Sequence, residues 1–117
     1  MKENVIKNKS FDFAVRIVTL SKYLIECKKE FILSKQVLRS GTSIGASVRE
    51  SEHAESKADF IHKLSIALKE ANETEYWLQL LEKAKYITLT EFESMNLDLT
   101  ELLKLLTSII KTSKSKK

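Results

Sequence analysis

Apolar residues recur at spacings of three and four along almost the whole chain, and none of its 117 residues is proline. This spacing places side chains on one face of an α-helix, as in an amphipathic helix that packs on a core. Because proline is the strongest helix breaker, its absence means that every interruption has to be a short polar turn. The sequence therefore predicts a helical chain with short connections.

Four such patterns can be separated. The predicted helices span about 10–29, 34–53, 56–85 and 89–110. Ser34 is the expected N-cap of the second helix, and Ser56 with Asp59 resembles a capping box at the start of the third. For the fourth helix, Thr88 and Thr90 each begin a Thr-x-x-Glu capping box. We expect an antiparallel, up-down-up-down four-helix bundle.

Each helix is expected to bury one apolar stripe. The inner residues are Phe13, Ile17, Leu20, Leu24 and Cys27; Val37, Gly41, Ile44 and Val48; Phe60, Leu64, Ala67, Ala71, Thr74, Leu78 and Leu81; and Phe92, Met95, Leu99, Leu102, Leu106 and Ile109. Phe11, Ala14, Val18 and Ile25 widen the apolar face of the first helix. The domain organisation is a flexible N-terminus (1–9), the bundle (10–110) and a flexible basic tail (111–117).

The two glycines of the chain, Gly41 and Gly45, lie four residues apart among serine, threonine and alanine. That spacing stacks them on adjacent turns of the second helix. A glycine inside a helix costs about 1 kcal/mol relative to alanine, so the pair indicates that something approaches this face closely. Either another subunit or a neighbouring helix of the same bundle could make this approach.

The third helix carries more apolar residues than one inner stripe uses: Ile66, Trp77, Leu80 and Ala84 lie behind it. Tyr76 and Trp77 are residue types that anchor protein interfaces. We interpret Ile66, Tyr76, Trp77 and Leu80, together with the glycine pair, as candidate contacts to another helix or to a second copy of the chain. The alternative is that a wide bundle core accommodates them all.

The net charge of +4 conceals an asymmetry. Residues 1–49 carry ten Lys and Arg against four Asp and Glu, whereas residues 50–110 carry six against twelve. If nucleic acid binds, contacts to backbone phosphates should come from the basic part. The candidates are Arg16, Lys22, Lys28, Lys29, Lys35, Arg39 and Arg49, assisted by the tail. Alternatively, the two halves attract each other within the bundle or between subunits.

No constellation for catalysis or metal binding stands out. Glu50 with His53, and Asp59 with His62, have the spacing of carboxylate-bridged metal sites. They flank a turn at one end of the predicted bundle, and no inward-facing glutamate complements them from the other helices. No glycine-rich phosphate loop or nucleophile with a patterned base is present. We expect no catalytic residue, no metal and no cofactor, with a metal-dependent enzyme as the weakest hypothesis.

The single cysteine, Cys27, excludes an internal disulfide, and its position on the apolar side predicts a buried packing thiol. The N-terminus carries no hydrophobic signal region, and no apolar run reaches the length of a membrane span. We therefore expect a cytoplasmic protein with no membrane partner.

Three segments carry a likeness to a known family: LRSGTSIGASVRE at 38–50, KADFIHKL at 57–64 and ETEYWL at 73–78. In these, the chain resembles the four-helix-bundle proteins encoded in intervening sequences of bacterial 23S ribosomal RNA genes. The likeness covers about residues 8–110. The matching residues are structural, so the resemblance implies no catalytic residue in this chain.

The resemblance implies a homopentamer around a central channel. The family includes the accessory protein of diversity-generating retroelements, a basic pentamer that binds nucleic acid and its reverse transcriptase. The implied partners are further copies of this chain, RNA or DNA, and a reverse transcriptase. The chain differs from that relative in its acidic second half. The leading hypothesis is a non-catalytic oligomer that binds phosphates of RNA or DNA, and the alternative is an interaction scaffold that binds no nucleic acid.

Overall fold

The computed structural model describes residues 2–116, with side chains from residue 4 onward, and it confirms the four-helix bundle. The helices are α1 (Lys2–Lys28), α2 (Leu33–Ser51), α3 (Lys57–Lys83) and α4 (Leu89–Ser115). Short turns join them, so neighbours along the chain run antiparallel, and α4 packs back against α1. The bundle measures 50 × 22 × 19 Å, so its helices follow the long axis.

The core lies along the bundle axis and is made of the predicted inner stripes. In α2, α3 and α4 every predicted inner residue is buried, except Phe60 and Phe92, which are half-buried near helix starts. In α1, Phe13, Ile17 and Leu24 are buried and Leu20 is half-buried. The three–four periodicity therefore predicted the core correctly in all four helices, apart from one residue of α1.

That residue is Cys27, and its predicted burial is wrong: the thiol is exposed. Cys27 lies in the last turn of α1, beyond Leu24, where the helix has passed the end of the core. The second apolar stripe of α1 is also corrected, because Phe11 and Val18 are 53% and 43% exposed. The packed face of α1 is narrower than the sequence suggested, since only α2 and α4 contact it.

Two predicted helix ends also require correction. Helix α1 begins at Lys2 rather than Ser10, because Ile6 is buried in the core and the Ser10 hydroxyl donates to Lys7 O within the helix (3.1 Å). Helix α4 continues to Ser115, where its last-turn lysine suits the negative helix C-terminus. The flexibility assigned to 1–9 and 111–117 stays a prediction. Met1 and Lys117, which belong to these two segments, lie outside the described residues.

The helix starts show which capping predictions hold. Thr88 forms a complete capping box with Glu91, which resolves the choice against Thr90. The Ser56 hydroxyl accepts from the Asp59 N–H (3.0 Å), as predicted. For α2 the prediction of Ser34 is wrong, because Ser34 lies inside the helix and is buried. Instead, Glu30 Oε1 accepts from the N–H groups of Ile32 (3.1 Å) and Ser34 (2.8 Å).

Candidate interaction surfaces

The candidate functional features of the described structure are interaction surfaces. Among residues 2–116, no group of three or more His, Cys, Asp or Glu could hold a metal ion. None of the four helices, as far as they are described, is long and apolar enough to cross a membrane. The candidate features are a close seam between α1 and α2, exposed apolar surfaces on α1 and α3, and one end of the bundle that carries lysines together with exposed Phe31, Ile32 and Leu89.

The glycine pair forms the α1–α2 seam inside one chain. A Cβ atom at Gly41 would lie 2.7 Å from Ile17 Cγ1, and one at Gly45 would lie 3.3 Å from the carbonyl oxygen of Ser10. Buried hydroxyls continue this seam: Ser21 Oγ donates to the Ser34 carbonyl oxygen (3.3 Å). The close approach thus occurs between helices of the same bundle, and a contact of these glycines with another subunit stays a prediction.

The outward face of α1 carries an exposed apolar stripe, named the α1 stripe here, formed by Phe11, Val15 and Val18. These residues follow the i, i+4, i+7 spacing opposite the buried face and are 53%, 51% and 43% exposed. The guanidinium of Arg49 lies 5.3 Å from the centroid of the Phe11 ring, in cation–π range. A groove of about 520 Å³ between α1 and α4 runs beside Val15. A contiguous exposed apolar surface of this kind is typical of a protein contact.

On α3, the predicted interface residues divide into two groups. Ile66, Trp77 and Leu80 are half-buried, and the indole Nε1 of Trp77 donates to Glu73 Oε2 (3.1 Å). Tyr76 is 57% exposed and meets Trp77 edge-on at 5.0 Å between ring centroids. The bundle therefore takes up much of the surplus apolar surface of α3, and Tyr76 is the most exposed member of the set.

Two of the arginines predicted to bind phosphate are already paired with carboxylates. Arg16 Nη1 lies 2.6 Å from Asp98 Oδ2 on α4. Arg39 pairs with Glu70 (3.3 Å) and with Glu73 on α3. In these pairs the basic half attracts the acidic half within the bundle, as the alternative interpretation proposed. The two guanidinium groups are consequently less available to an external phosphate.

The lysines among the candidates are differently placed. Lys22, Lys29 and Lys35 are exposed, and in the described part of the chain none of them lies in an ion pair. Lys28 Nζ lies 5.9 Å from the centroid of the Tyr23 ring. All four belong to the end of α1, the following turn or the first turn of α2. The structure therefore places these four at one end of the bundle, where Lys35 lies one turn before Arg39 on α2, whereas Arg49 lies near the opposite end.

The turns at 29–32 and 84–88 lie at the same end of the bundle because the helices alternate in direction. We call this end, residues 22–35 and 82–91, the double-turn end. It carries six lysines and four glutamates. Three of the glutamates are engaged: Glu30 and Glu91 cap helices, and Glu82 lies 4.0 Å from Lys83. The opposite end carries the turn at 52–56, which contains two glutamates and no lysine, and also the basic end of α4 with Lys111 and Lys114.

Two lysines of this end adopt an unusual backbone conformation. Lys29 (φ 55°) and Lys85 (φ 68°) are left-handed and follow the last residues of α1 and α3. The next N–H groups then turn back to the helix ends, from Glu30 to Leu24 O and from Tyr86 to Leu81 O, both at 2.9 Å. Glycine is the usual residue here, because a side chain in this conformation costs about 1–2 kcal/mol.

A groove of about 300 Å³ opens at the double-turn end between α1 and the α3–α4 turn. Its lining comprises Tyr23, Lys28, Glu82, Lys85, Tyr86, Ile87, Thr88, Leu89 and Glu91. Sequence reasoning missed Tyr23, Lys85 and Tyr86, which come together only when α1 packs beside the α3–α4 turn. The available signal was a lysine, rather than a glycine, at two predicted helix ends, residues 29 and 85.

Comparison with known proteins decides the family. The family model described as "23S rRNA-intervening sequence protein" matches residues 2–108. The chain belongs to this family. The chain is similar to the crystal structure of a protein with unknown function from the S23 ribosomal protein family of Bacteroides thetaiotaomicron, with 66% sequence identity. The match covers 95% of this chain and 99% of the relative, with a TM-score of 0.94. No curated protein matches the chain.

Proposed function

We propose that this intervening-sequence family protein is a non-catalytic, self-associating four-helix bundle. The observation that supports the proposal is the α1 stripe, in which Phe11, Val15 and Val18 point away from the core of their own chain and stay about half exposed. Exposed apolar side chains at helical spacing are covered most simply by a second copy, because small bundles commonly form closed symmetric assemblies. The number of five subunits rests on the family resemblance.

The α1 stripe can be tested without disturbing the core. Val15→Glu places a charge in the middle of the stripe, at a position that is 51% exposed in the single chain. A charge buried without a partner is costly, so the variant should fold but lose assembly. Gln79→Glu introduces the same side chain on the exposed face of α3 and serves as the control.

Light scattering after size exclusion gives the decisive mass. The natural chain and Gln79→Glu should have about five times the chain mass of 13.4 kDa, and Val15→Glu should be smaller with an unchanged helical circular dichroism spectrum. A monomeric natural chain at micromolar concentration would contradict self-association. Assembly of Val15→Glu to full size would remove the α1 stripe from the interface.

A second candidate function, favoured by the lysines of the double-turn end, is binding of RNA or DNA through backbone phosphates. Lys22, Lys29 and Lys35 are exposed and lack ion pairs in the described chain, so binding phosphate would not require breaking an existing bridge. A ring of subunits would repeat this small basic surface and add weak contacts through multivalency. A reverse transcriptase would be a further partner in this case.

Salt dependence tests the second candidate. Each phosphate neutralised by a lysine releases counterions, so the affinity for RNA or duplex DNA should fall steeply between about 50 and 200 mM salt. Little sequence preference is expected, because phosphate contacts do not distinguish bases. Binding that is equal at both salt concentrations, or absent at the lower, would leave the interaction scaffold without nucleic acid as the function.

A further inference from the structure

We propose that the groove at the double-turn end is a binding site for single-stranded nucleic acid, in which Tyr23 and Tyr86 stack on an unpaired base and neighbouring lysines hold the adjoining phosphates. This inference rests on the second candidate function above, and it adds a location, a strand class and a stacking contact. The geometry that supports it is the meeting of two aromatic side chains and two lysines in one groove of about 300 Å³.

The groove offers aromatic rings for the base of a nucleotide and lysines for its phosphate. Tyr23 and Tyr86 are half-buried against the core and both line the groove, and the Lys28 ammonium, 5.9 Å from the centroid of the Tyr23 ring, would move aside for a base stacked there. A planar base can stack on such a ring whatever its identity, and aromatic stacking beside a basic surface is how single strands are commonly bound. In a duplex the bases are already stacked on each other, so the rings favour an unpaired strand.

The lysines supply the charge on both sides of the rings. Lys28 and Lys85 line the groove itself, and Lys29 follows Lys28 at the start of the turn. The carboxylates in the groove are engaged in part: Glu91 accepts from the Thr88 N–H, and Glu82 lies 4.0 Å from Lys83. The groove lining itself is balanced, with two lysines and two glutamates, and the excess of positive charge comes from the surrounding lysines Lys22, Lys29, Lys35 and Lys83.

The left-handed lysines give an independent reason to regard this end as functional. Glycine would adopt the conformation of Lys29 and Lys85 without strain, yet both positions keep a long cationic side chain. Strained residues of this kind concentrate where the side chain has a role. A cation near a helix C-terminus has a modest stabilising effect through the helix dipole, which the following experiment separates from binding.

The experiment measures fluorescence anisotropy of a labelled single-stranded RNA and of its matched duplex with the full chain, at about 50 and 200 mM salt. Three variants are compared. Tyr23→Leu with Tyr86→Leu removes both rings, Tyr23→Phe with Tyr86→Phe keeps them, and Lys29→Gly with Lys85→Gly removes two charges and the backbone strain. Lys69→Ala with Lys104→Ala is the control, because it removes two exposed lysines from the sides of α3 and α4.

We expect the leucine pair to weaken single-strand binding about fivefold to a hundredfold, while the phenylalanine pair binds like the natural chain. The glycine pair should lower the slope of log affinity against log salt by about 1.4, at about 0.7 for each lost phosphate contact. Its unfolding temperature should be unchanged or higher, which a purely stabilising role of these lysines would not produce. The control pair should leave the slope unchanged.

Other outcomes overturn the inference in distinguishable ways. If single strand and duplex bind equally and the leucine pair binds normally, phosphate binding stands and the stacking site is refuted. If no nucleic acid binds at the lower salt, both the site and the second candidate function fail. Binding to vesicles of anionic lipid, in the absence of RNA binding, would likewise refute both, because a bilayer would then be the partner of this end.

Discussion

The side chain of Ile17 occupies the space that a side chain at position 41 would need: a Cβ at Gly41 would lie within 2.9 Å of its Cγ1, Cγ2 and Cδ1 atoms. Ile17 is fully buried and branched at Cβ, so it has no free direction in which to move. At Gly45 the nearest atom is instead the Ser10 carbonyl oxygen, at 3.3 Å. Position 41 therefore has less room for a side chain than position 45.

From this difference we expect Gly41→Ala to destabilise the protein more than Gly45→Ala does. Overpacking costs about 1–3 kcal/mol, against which alanine gains about 1 kcal/mol of helix propensity at either site. Replacement of either glycine by leucine should cost more than replacement by alanine. Urea unfolding at fixed protein concentration gives the free energies. If Gly41→Ala proves as stable as the natural chain, the contact with Ile17 is not tight.

Ile17→Ala, which removes Cγ1, Cγ2 and Cδ1, provides the matched test. Combined with Gly41→Ala, it should cost less than the sum of the two single changes, because the three atoms that crowd the new methyl group are gone. Strict additivity of the two changes would show that the residues do not interact.

A second prediction concerns the start of α4. Thr88→Ala should lower the free energy of unfolding by about 1 kcal/mol, because it leaves the Glu91 N–H without its acceptor. Thr90→Ala is the control, since Thr90 begins a similar motif in sequence but lies within the first turn of α4. Equal losses in the two variants would contradict the assignment of the cap to Thr88.

The capping of α2 by Glu30 leads to a third prediction. Glu30→Ala should cost about 1–3 kcal/mol, because the N–H groups of Ile32 and Ser34 both lose an acceptor and that of Ser34 is buried. Glu30→Gln keeps an acceptor oxygen and should cost less. The ratio of the two losses, measured by chemical denaturation, checks that hydrogen bonding is responsible. Equal losses in the two variants would indicate that the charge of Glu30, rather than its acceptor oxygen, is responsible.

The fourth prediction separates the arginines from the lysines. Arg16→Ala and Arg39→Ala should leave nucleic-acid affinity almost unchanged, because Asp98, Glu70 and Glu73 already neutralise these side chains. Their ion pairs are partly exposed, so each substitution should change stability by less than about 1 kcal/mol. Replacing Lys22 and Lys35 by alanine should instead reduce affinity and its salt dependence. If replacing the two arginines lowers the affinity as much as replacing Lys22 and Lys35 does, the arginines are not neutralised and this prediction is wrong.

The sequence predicted the bundle well because periodicity and caps are local signals. The stripes of α2, α3 and α4 and the caps at Ser56 and Thr88 could be recognised from a few neighbouring residues. The start of α1 could not, because the pair Val5 and Ile6 between polar residues makes no repeating pattern, and Ile6 becomes buried only in the assembled core. Glu30 was missed for a similar reason, since capping residues are usually short and its side chain reaches forward by four residues.

The functional surfaces were predicted less completely, because they depend on pairs that are distant in sequence. Arg16 and Lys22 look alike in sequence, yet Arg16 meets Asp98 across the α1–α4 contact and Lys22 meets no carboxylate in the described chain. Tyr23 and Tyr86 likewise join one groove only after folding. Composition could indicate that a basic half exists, but it could not indicate which cations remain available.

The contacts of Gly41 and Gly45 with α1 have a consequence for the axial alignment of the two helices. A slip of α1 by one turn, about 5.4 Å, would move Ile17 out of the hollow at Gly41 and bring Phe13 or Leu20 towards it, depending on the direction of the slip. Steric clashes at these glycines therefore disfavour alignments in which α1 is shifted along α2. Uniform apolar stripes would not do so, because they pack similarly in several alignments. Substitutions that fill either hollow would then disturb the alignment of α1 and α2 as well as their distance.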